Sequence, residues 1–228
     1  MNIQPRTFSE YSSVEAENAL NELLQSLKEH EKYQQVMITL GKLLGNKLKD
    51  LLAINCLDLL VSTAEDADYL AEGVRQGLGN QINLKSAIFW NNHYSIKHGS
   101  VAPIIGRYLE PGYETSEELI LVKSIISGSC VVRTNLLSLI DQVNPKRIFI
   151  VAPVMHKNAE TSLRKEFPES ISKLFNFIYF ALDSDKKDDG EVQPGIGGSV
   201  YELLGLDDQP AYVGFIPERV KQLMSTST

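Results

Sequence analysis

The chain has 228 residues, 43% of them hydrophobic and 22% charged, and its formal net charge is -7. This composition provides enough apolar residues for the core of a globular protein. The negative charge excludes a general nucleic-acid binder, because neutralising phosphates requires a basic face. Two cysteines are too few for a disulfide framework, and neither an apolar leader nor an apolar run of about 20 residues is evident. We therefore expect a cytoplasmic protein without a membrane span.

Residues 1–49 have the pattern of two amphipathic helices. Ser12 and Glu15 resemble a capping box at a helix start, and apolar residues then recur at helical spacing. These apolar positions are Leu20, Leu23, Leu24, Leu27, Val36, Leu40, Leu43, Leu44 and Leu48. The stripe either packs on the protein's own core, which amphipathic stripes in general favour, or docks a partner helix. In the second case this N-terminal helical segment would join a homo-oligomer or bind a partner protein.

From residue 50 to residue 228, short apolar runs alternate with helical patterns. Strands are predicted over 57–61, 86–90, 119–122, 147–154 and 177–181, and helices over about 66–76, 134–143 and 158–167. Near-continuous apolar strands that alternate with helices predict an α/β domain, with a parallel sheet and helices on both faces. In such sheets, ligands bind beyond the carboxyl ends of the strands. The candidate sites are therefore the segments 62–68, 124–135, 153–158 and the region that begins at Asp183.

One candidate phosphate site joins a predicted strand to a predicted helix. Its small residues Ser127, Gly128 and Ser129 allow backbone N–H groups to approach a ligand closely. A helix start adds partial positive charge, and Arg133 and Thr134 would add a cation and a hydroxyl. The alternative is a plain strand-to-helix turn with Thr134 as the N-cap. Small residues at a single turn leave these two interpretations about equal.

A second candidate lies in the sequence V-Q-P-G-I-G-G-S, residues 192–199, which follows an acidic and lysine-rich loop. Its glycines leave the main chain free of side chains, so that backbone groups of Gln193, Gly195, Ile196 and Gly197 would face a flat ligand such as a base. The alternative is a structural turn that leads into a helix at Val200.

The order of a strand, an acid at Asp183, a loop and the V-Q-P-G-I-G-G sequence resembles uracil phosphoribosyltransferases, whose corresponding loop reads P-G-L-G-D. The similarity covers roughly residues 50–205 in order and spacing. It implies an enzyme that transfers ribose 5-phosphate between phosphoribosyl pyrophosphate and a pyrimidine-like base, with Mg²⁺ to neutralise pyrophosphate.

The resemblance also implies a role for each segment. Residues 127–134 would hold the 5-phosphate, and residues 193–198 would hold the base. Ser62, Thr63 and Asp66 would lie beside pyrophosphate, and Asp183 would be a weak candidate for binding Mg²⁺ through water.

Several residues depart from the pattern of that family. Type I phosphoribosyltransferases usually have ribose-binding acids at the positions of Ser124 and Ile125, and isoleucine accepts no hydrogen bond. The uracil branch has an arginine in the pyrophosphate loop, where this chain has Glu65 and Asp66, which would repel pyrophosphate without a metal. The acid of P-G-L-G-D is Gly198. The sequence thus leaves two functions open: a divergent phosphoribosyltransferase, or a non-catalytic nucleotide-sensing or assembly subunit of a larger bacterial system.

Other polar residues near the predicted strand ends are weaker candidates. His93, Lys97 and His98 would contact pyrophosphate if their segment covered the site, but an exposed loop is the more common outcome. His156 follows a strand directly, and Cys130 lies in the candidate phosphate loop. A thiolate at a helix start is chemically possible, yet no base is near Cys130 in the sequence.

Overall fold

The computed structural model describes residues 6–53, 55–96 and 99–225. Its strands are β1 (Thr7–Phe8), β2 (Leu57–Thr63), β3 (Asn83–Asn91), β4 (Tyr94–Ile96), β5 (Gly99–Val101), β6 (Ile104–Leu109), β7 (Glu118–Val122), β8 (Ile125–Ile126), β9 (Arg147–His156), β10 (Phe175–Asp183), β11 (Asp185–Lys186) and β12 (Val192–Gln193). Its helices are α1 (Val14–Gln25), α2 (His30–Lys49), α3 (Ala64–Ala67), α4 (Leu70–Leu78), α5 (Cys130–Val143), α6 (Ala159–Lys165), α7 (Glu169–Ser172), α8 (Val200–Leu203), α9 (Pro210–Val213) and α10 (Glu218–Ser225).

The main sheet has the strand order β1-β10-β9-β7-β2-β3-β6, and the short β8 also pairs with β9. The five central strands run parallel, whereas β1 and β6 pair antiparallel at the two edges. β4 pairs with β5 and β11 with β12 outside this sheet. The predicted parallel α/β sheet is confirmed, with antiparallel edges that the sequence pattern did not indicate.

Helices cover both faces of the sheet. Ile120 and Val122 of β7 point to the face covered by α1, α2 and α4, and both are fully buried there. Leu119 and Leu121 point to the opposite face, which α5 and α6 cover. This alternation along one strand, with burial on both sides, explains why the central strands are apolar at nearly every position.

The N-terminal helices pack on the protein's own sheet. Leu20, Leu23, Leu40 and Leu44 are at most 1% exposed and share one core with strands β7, β9 and β10. Leu27 is half-buried and packs against the same core. The first interpretation of the leucine stripe is therefore confirmed. The docking interpretation is wrong for Leu20, because its side chain already lies inside this core.

Helices α2 and α4 touch backbone to backbone through two pairs of glycines. A Cβ added at Gly41 would lie 2.2 Å from Leu70 O, and one added at Gly73 would lie 2.2 Å from Ile38 O. Gly45 and Gly77 make equally close approaches. These positions need glycine because any side chain would force the helices apart.

Three predicted helix starts differ from those observed. The cap of α1 is Ser13, whose side chain accepts a hydrogen bond from Ala16 N, and not Ser12. The helix predicted over 66–76 is divided into α3 and α4. α5 begins at Cys130, four residues before Thr134, because Val132 is buried in the core and its packing outweighs the modest helix propensity of valine. Among the described residues, no helix combines the length and the apolar character that crossing a membrane requires.

Candidate functional site

The carboxyl ends of four parallel strands lie along one edge of the sheet. β2 ends at Thr63, β7 at Val122, β9 at His156 and β10 at Asp183. The register places these ends side by side, since Ser62 pairs with Val122 and Asp183 pairs with His156. All four predicted segments are therefore gathered at one edge.

The loop between β8 and α5 presents its backbone to open space. Ser127 and Ser129 are half-buried, Gly128 is exposed, and a Cβ added at Gly128 would meet no heavy atom within 4 Å. α5 starts directly after the loop, at Cys130, with the free N–H groups of its first turn. Lys186 Nζ donates to Ser127 O at 2.6 Å. A helix start, an accessible backbone and an ammonium group thus meet here, which favours an anionic ligand.

Arg133 and Thr134 lie within α5, so neither is the residue that begins the helix. Arg133 Nε is 3.2 Å from Glu166 Oε2, and the arginine side chain is 45% exposed. That exposure leaves the guanidinium accessible beside Ser129. Thr134 lines a neighbouring depression together with Ser100 and Arg133, but it does not line the larger cavity, which Arg133 also borders.

Two cavities flank the loop at residues 127–129. The polar cleft has a volume of about 500 Å³ and is lined by Ser129, Arg133, His156, Asn158, Ser162 and Lys186, among others. The apolar pocket has a volume of about 160 Å³, and its walls include Ile125, Ile126, Val131, Val132, Val200 and Tyr201. Ser127, Gly128 and Cys130 line both cavities. A ligand held by this loop therefore has a charged side and an apolar side available to it.

A buried ion cluster closes the edge of the site beside β2. Lys123 Nζ donates to Asp66 Oδ2 at 2.7 Å, to Glu65 Oε1 at 3.1 Å and to Ser124 Oγ at 3.3 Å. Asp66 Oδ2 also accepts hydrogen bonds from Thr63 Oγ1 at 2.9 Å and Ser124 N at 3.3 Å. The three charged side chains are at most 9% exposed. We refer to Lys123, Glu65 and Asp66 as the lysine triad.

Electrostatics hold Lys123 in its charged form. Burial by itself lowers the pKa of Lys123, but the adjacent charges of Asp66 and Glu65 outweigh that effect and raise its pKa. Burial, followed by the charge of Glu65, also raises the pKa of Tyr201, which lines the apolar pocket. The ammonium group donates its three protons to Asp66, Glu65 and Ser124, so it has none left for a ligand.

The predicted base loop is held from inside the protein. Gly195 N donates to Asp183 Oδ2 at 2.9 Å, Gly195 O accepts from Arg6 Nη2 at 2.6 Å, and Ile196 O accepts from Tyr33 OH at 3.0 Å. Gly195 has φ +55°, and a Cβ there would lie 2.3 Å from Val192 O, so this position requires glycine.

The other two residues predicted for the base loop lie beside this internal framework. Gln193 belongs to the short strand β12, and Gly197 packs against Leu27. Val200 and Tyr201 of α8, which follow this loop along the chain, line the apolar pocket, as does Ile125, whose Cδ1 lies 3.1 Å from the Cβ position of Gly195.

Asp183 does not have the surroundings of a magnesium ligand. Its carboxylate is fully buried and accepts two hydrogen bonds from Arg6, at 2.9 Å and 2.7 Å, besides the one from Gly195 N. Among the described residues, no three His, Cys, Asp or Glu side chains are grouped so as to hold a metal ion. The residues present therefore do not fit Mg²⁺ bound by the protein alone.

The predicted histidine and cysteine candidates have structural partners. His156 Nδ1 accepts from Asn158 N, and its Nε2 donates to Ser184 O at 3.1 Å, an arrangement that suits a neutral ring. Burial, followed by the charge of Lys186, lowers the pKa of His156 accordingly. Cys130 Sγ lies 3.2 Å from Ser100 O.

His93 lines the apolar pocket, and its backbone exchanges two hydrogen bonds with the side chain of Gln209. Burial, followed by the charge of Lys123, lowers the pKa of the His93 ring. Lys97 and His98 fall outside the described residues.

A second cavity of about 500 Å³ lies beside the amino-terminal half of β10, but the predicted site residues do not line it. Its two arginines are each paired with a carboxylate. Arg147 Nε bonds to Glu118 at 2.5 Å, and Arg164 Nε bonds to Glu160 at 3.0 Å. The groups at the carboxyl edge therefore remain the better candidate.

Sequence reasoning missed four residues that shape the site: Arg6, Lys123, Lys186 and Tyr201. Lys123 had a detectable signal, because a lysine directly after a wholly apolar strand requires a partner when it is buried. Arg6 and Tyr201 had none, since their contacts depend on elements distant in the chain.

No family model matches the chain, and no curated protein matches it. Among solved structures, the AQ2163 protein from Aquifex aeolicus is similar with a TM-score of 0.69 and 16% identity, over 87% of this chain and 97% of that chain. The hypoxanthine-guanine phosphoribosyltransferase of L. donovani has a TM-score of 0.44 and 9% identity, over 64% of this chain and 77% of that one. A hypoxanthine phosphoribosyltransferase from Staphylococcus aureus has a TM-score of 0.44 and 10% identity, over 81% and 80%. The similarity to the AQ2163 protein shows the fold. The two transferases have low TM-scores and add nothing to that conclusion. Similarity to uracil phosphoribosyltransferases in particular stays a prediction.

Proposed function

We propose that this protein binds a phosphorylated nucleotide at the carboxyl edge of its sheet, with the phosphate on the loop at residues 127–129. The observation that carries the proposal is the meeting of that loop, the start of α5 and Lys186 at one polar cleft. Sequence resemblance to phosphoribosyltransferases, whose ligands carry a ribose 5-phosphate, supports the same assignment.

The phosphate position follows from charge and access. Gly128 leaves the backbone open, and helix N–H groups complement an anion. Within the described chain, Lys186 forms no ion pair and donates to a carbonyl oxygen, so its ammonium can exchange that partner for phosphate at little cost. Arg133, although paired with Glu166, is exposed enough to contribute a second cation.

The remainder of the ligand has a place on the other side of the loop. The apolar pocket offers Ile125, Val132 and Val200 as apolar walls, and His93, Ser100, Lys123 and Tyr201 add polar groups. Apolar walls combined with placed polar groups are typical of sites for flat rings. Since Ser127 and Gly128 line both cavities, one molecule can present its phosphate to the polar cleft and its ring to the apolar pocket.

Binding of nucleoside monophosphates and of the matching nucleosides tests the proposal by calorimetry. We expect at least one of UMP, AMP and GMP to bind, and the nucleoside to bind much more weakly. Lys186→Gln should weaken the monophosphate about tenfold, the usual effect of losing one charge-assisted contact, and leave the nucleoside unaffected. Lys187→Gln is the matched control, because that neighbouring lysine pairs with Glu191 at 2.7 Å. Equal affinities for nucleotide and nucleoside would refute the phosphate assignment.

If the protein is an enzyme, the matching reaction is phosphoribosyl transfer with Mg²⁺, which also requires a place for pyrophosphate. The ligand would then carry pyrophosphate as well as a 5-phosphate, next to residues Ser62, Thr63 and Asp66. Release of pyrophosphate from phosphoribosyl pyrophosphate, Mg²⁺ and uracil would show that activity.

A further inference from the structure

We infer that the lysine triad makes this a site for nucleoside monophosphates and excludes ligands that carry pyrophosphate, so that the protein binds a nucleotide without transferring its ribose. This inference rests on the proposed nucleotide binding. Its basis is the chemistry of the space next to the loop at residues 127–129, on the side of β2.

The formal charge of the triad disfavours a neighbouring pyrophosphate group. Lys123 is the one cation of the triad, against the carboxylates of Glu65 and Asp66, so the cluster carries net negative charge. Asp66 Oδ1 is buried and lacks a hydrogen-bond partner within the described chain. A group of high negative charge placed beside this cluster would be repelled by it, with little screening because all three side chains are buried.

The hydrogen-bond donors of Lys123 and Thr63 are already engaged within the protein. Pyrophosphate requires several donors, yet the protons of Lys123 are used by Asp66, Glu65 and Ser124. Thr63 Oγ1 donates its own proton to Asp66 Oδ2. The side-chain donors of Lys123 and Thr63 are therefore engaged within this cluster and offer a second phosphate group nothing to replace its water.

The two cavities beside the loop at residues 127–129 differ in size and polarity. Lys123 lines the apolar pocket, and five of the other lining residues are isoleucine or valine. A volume of about 160 Å³ with such walls suits an uncharged ring. The cations accessible to a ligand, Arg133 and Lys186, lie on the opposite side of the loop, in the polar cleft. A ligand with one phosphate and one ring matches this division between the polar cleft and the apolar pocket, whereas a ligand with pyrophosphate beside β2 does not.

The test compares ligands on the wild-type protein by calorimetry. The probes are UMP, AMP, GMP, phosphoribosyl pyrophosphate and inorganic pyrophosphate, each with MgCl₂ and with EDTA. We expect at least one monophosphate to bind at least about tenfold more tightly than either pyrophosphate compound, a ratio that one to two uncompensated charges produce. Its affinity should be the same in EDTA, and no pyrophosphate should appear when uracil is added.

The outcomes separate the two proposals. Comparable binding of phosphoribosyl pyrophosphate, or turnover with uracil, would overturn the inference while leaving nucleotide binding intact. Failure of every monophosphate to bind would overturn both.

A charge variant tests the role of the triad directly. Glu65→Gln keeps an oxygen for Lys123 and removes one negative charge, so the affinity for pyrophosphate compounds should rise about tenfold while that for the monophosphate stays within about twofold. Glu72→Gln is the matched control on α4, where the carboxylate pairs with Arg75 at the surface. If Glu65→Gln and Glu72→Gln behave alike, the triad does not set the selectivity. Should Glu65→Gln fail to fold, the wild-type ratio still decides.

Discussion

Replacing Asp58 with asparagine should stabilise the protein at neutral pH and above, and leave its stability nearly unchanged near pH 4. Asp58 is 1% exposed, both of its carboxylate oxygens lack a hydrogen-bond partner within the described chain, and it pairs in register with buried Glu118. Burial, followed by the charge of Glu118, raises the pKa of Asp58 from 3.8 to about 7, although Arg147 opposes this. The carboxyl group is therefore neutral in the folded protein over a range in which it is ionised in the unfolded chain.

The sign of the effect follows from proton linkage. Between pH 4 and pH 7 the folded state holds a proton that the unfolded state has lost, so the contribution of Asp58 to stability falls as the pH rises through this window. At about 1.4 kcal/mol per pH unit, the loss reaches at most about 4 kcal/mol above pH 7. Asparagine has no proton to lose, so it removes the pH dependence that Asp58 causes.

Urea unfolding of wild type and Asp58→Asn at a series of pH values from 4 to 8 measures this difference. The gap in the free energy of unfolding should be near zero at pH 4 and should widen with pH up to about 7. Asp141→Asn, at an exposed position of α5, is the control and should change the free energy of unfolding much less than Asp58→Asn at pH 7. A gap for Asp58→Asn that stays constant with pH, or that narrows as the pH rises, would refute the reasoning.

Two further predictions concern contacts that join distant parts of the chain. Gly73→Ala should lower the free energy of unfolding by about 2 kcal/mol, because the new methyl group meets the backbone of α2. Thermal unfolding measures the loss, and Gly106→Ala is the control, since a Cβ there makes only ordinary contacts. Equal losses of stability in the two variants would contradict the close approach of α2 and α4. Arg6→Met should cost about 3–5 kcal/mol in urea unfolding, because it leaves buried Asp183 without its ion pair. Exposed Lys28→Met should change little, and a similar loss in both variants would refute a specific role for Arg6.

The sequence predicted the fold because the pattern that specifies it is local. Residues 147–154 are apolar at nearly every position, and this is the pattern of a strand buried on both faces. The helical spacing of the leucines in α1 and α2 likewise indicated which side of each helix is buried. Helix boundaries were less predictable, since α5 begins at Cys130 through the burial of Val132, which local propensity does not reveal.

The candidate site was only partly predictable because its decisive contacts are not local. Ser127, Gly128 and Ser129 were identified from a short motif that is visible in the sequence. The base loop was interpreted as open backbone, whereas Arg6 and Tyr33 occupy two of its carbonyl oxygens. Glycine content shows that a backbone can be approached, but it does not show which group approaches it.

Glu65, Asp66 and Lys123 illustrate what a sequence pattern leaves undetermined about charge. In the sequence, the two acids looked like open carboxylates that would repel pyrophosphate unless a metal intervened. In the structure, Lys123 lies 2.7 Å from Asp66 and 3.1 Å from Glu65, so an ammonium group from the end of β7 occupies the place next to them. Losing either side of this cluster alone would leave buried charge uncompensated. The acids at the end of β2 and the lysine after β7 are therefore best understood as one unit that closes this part of the site.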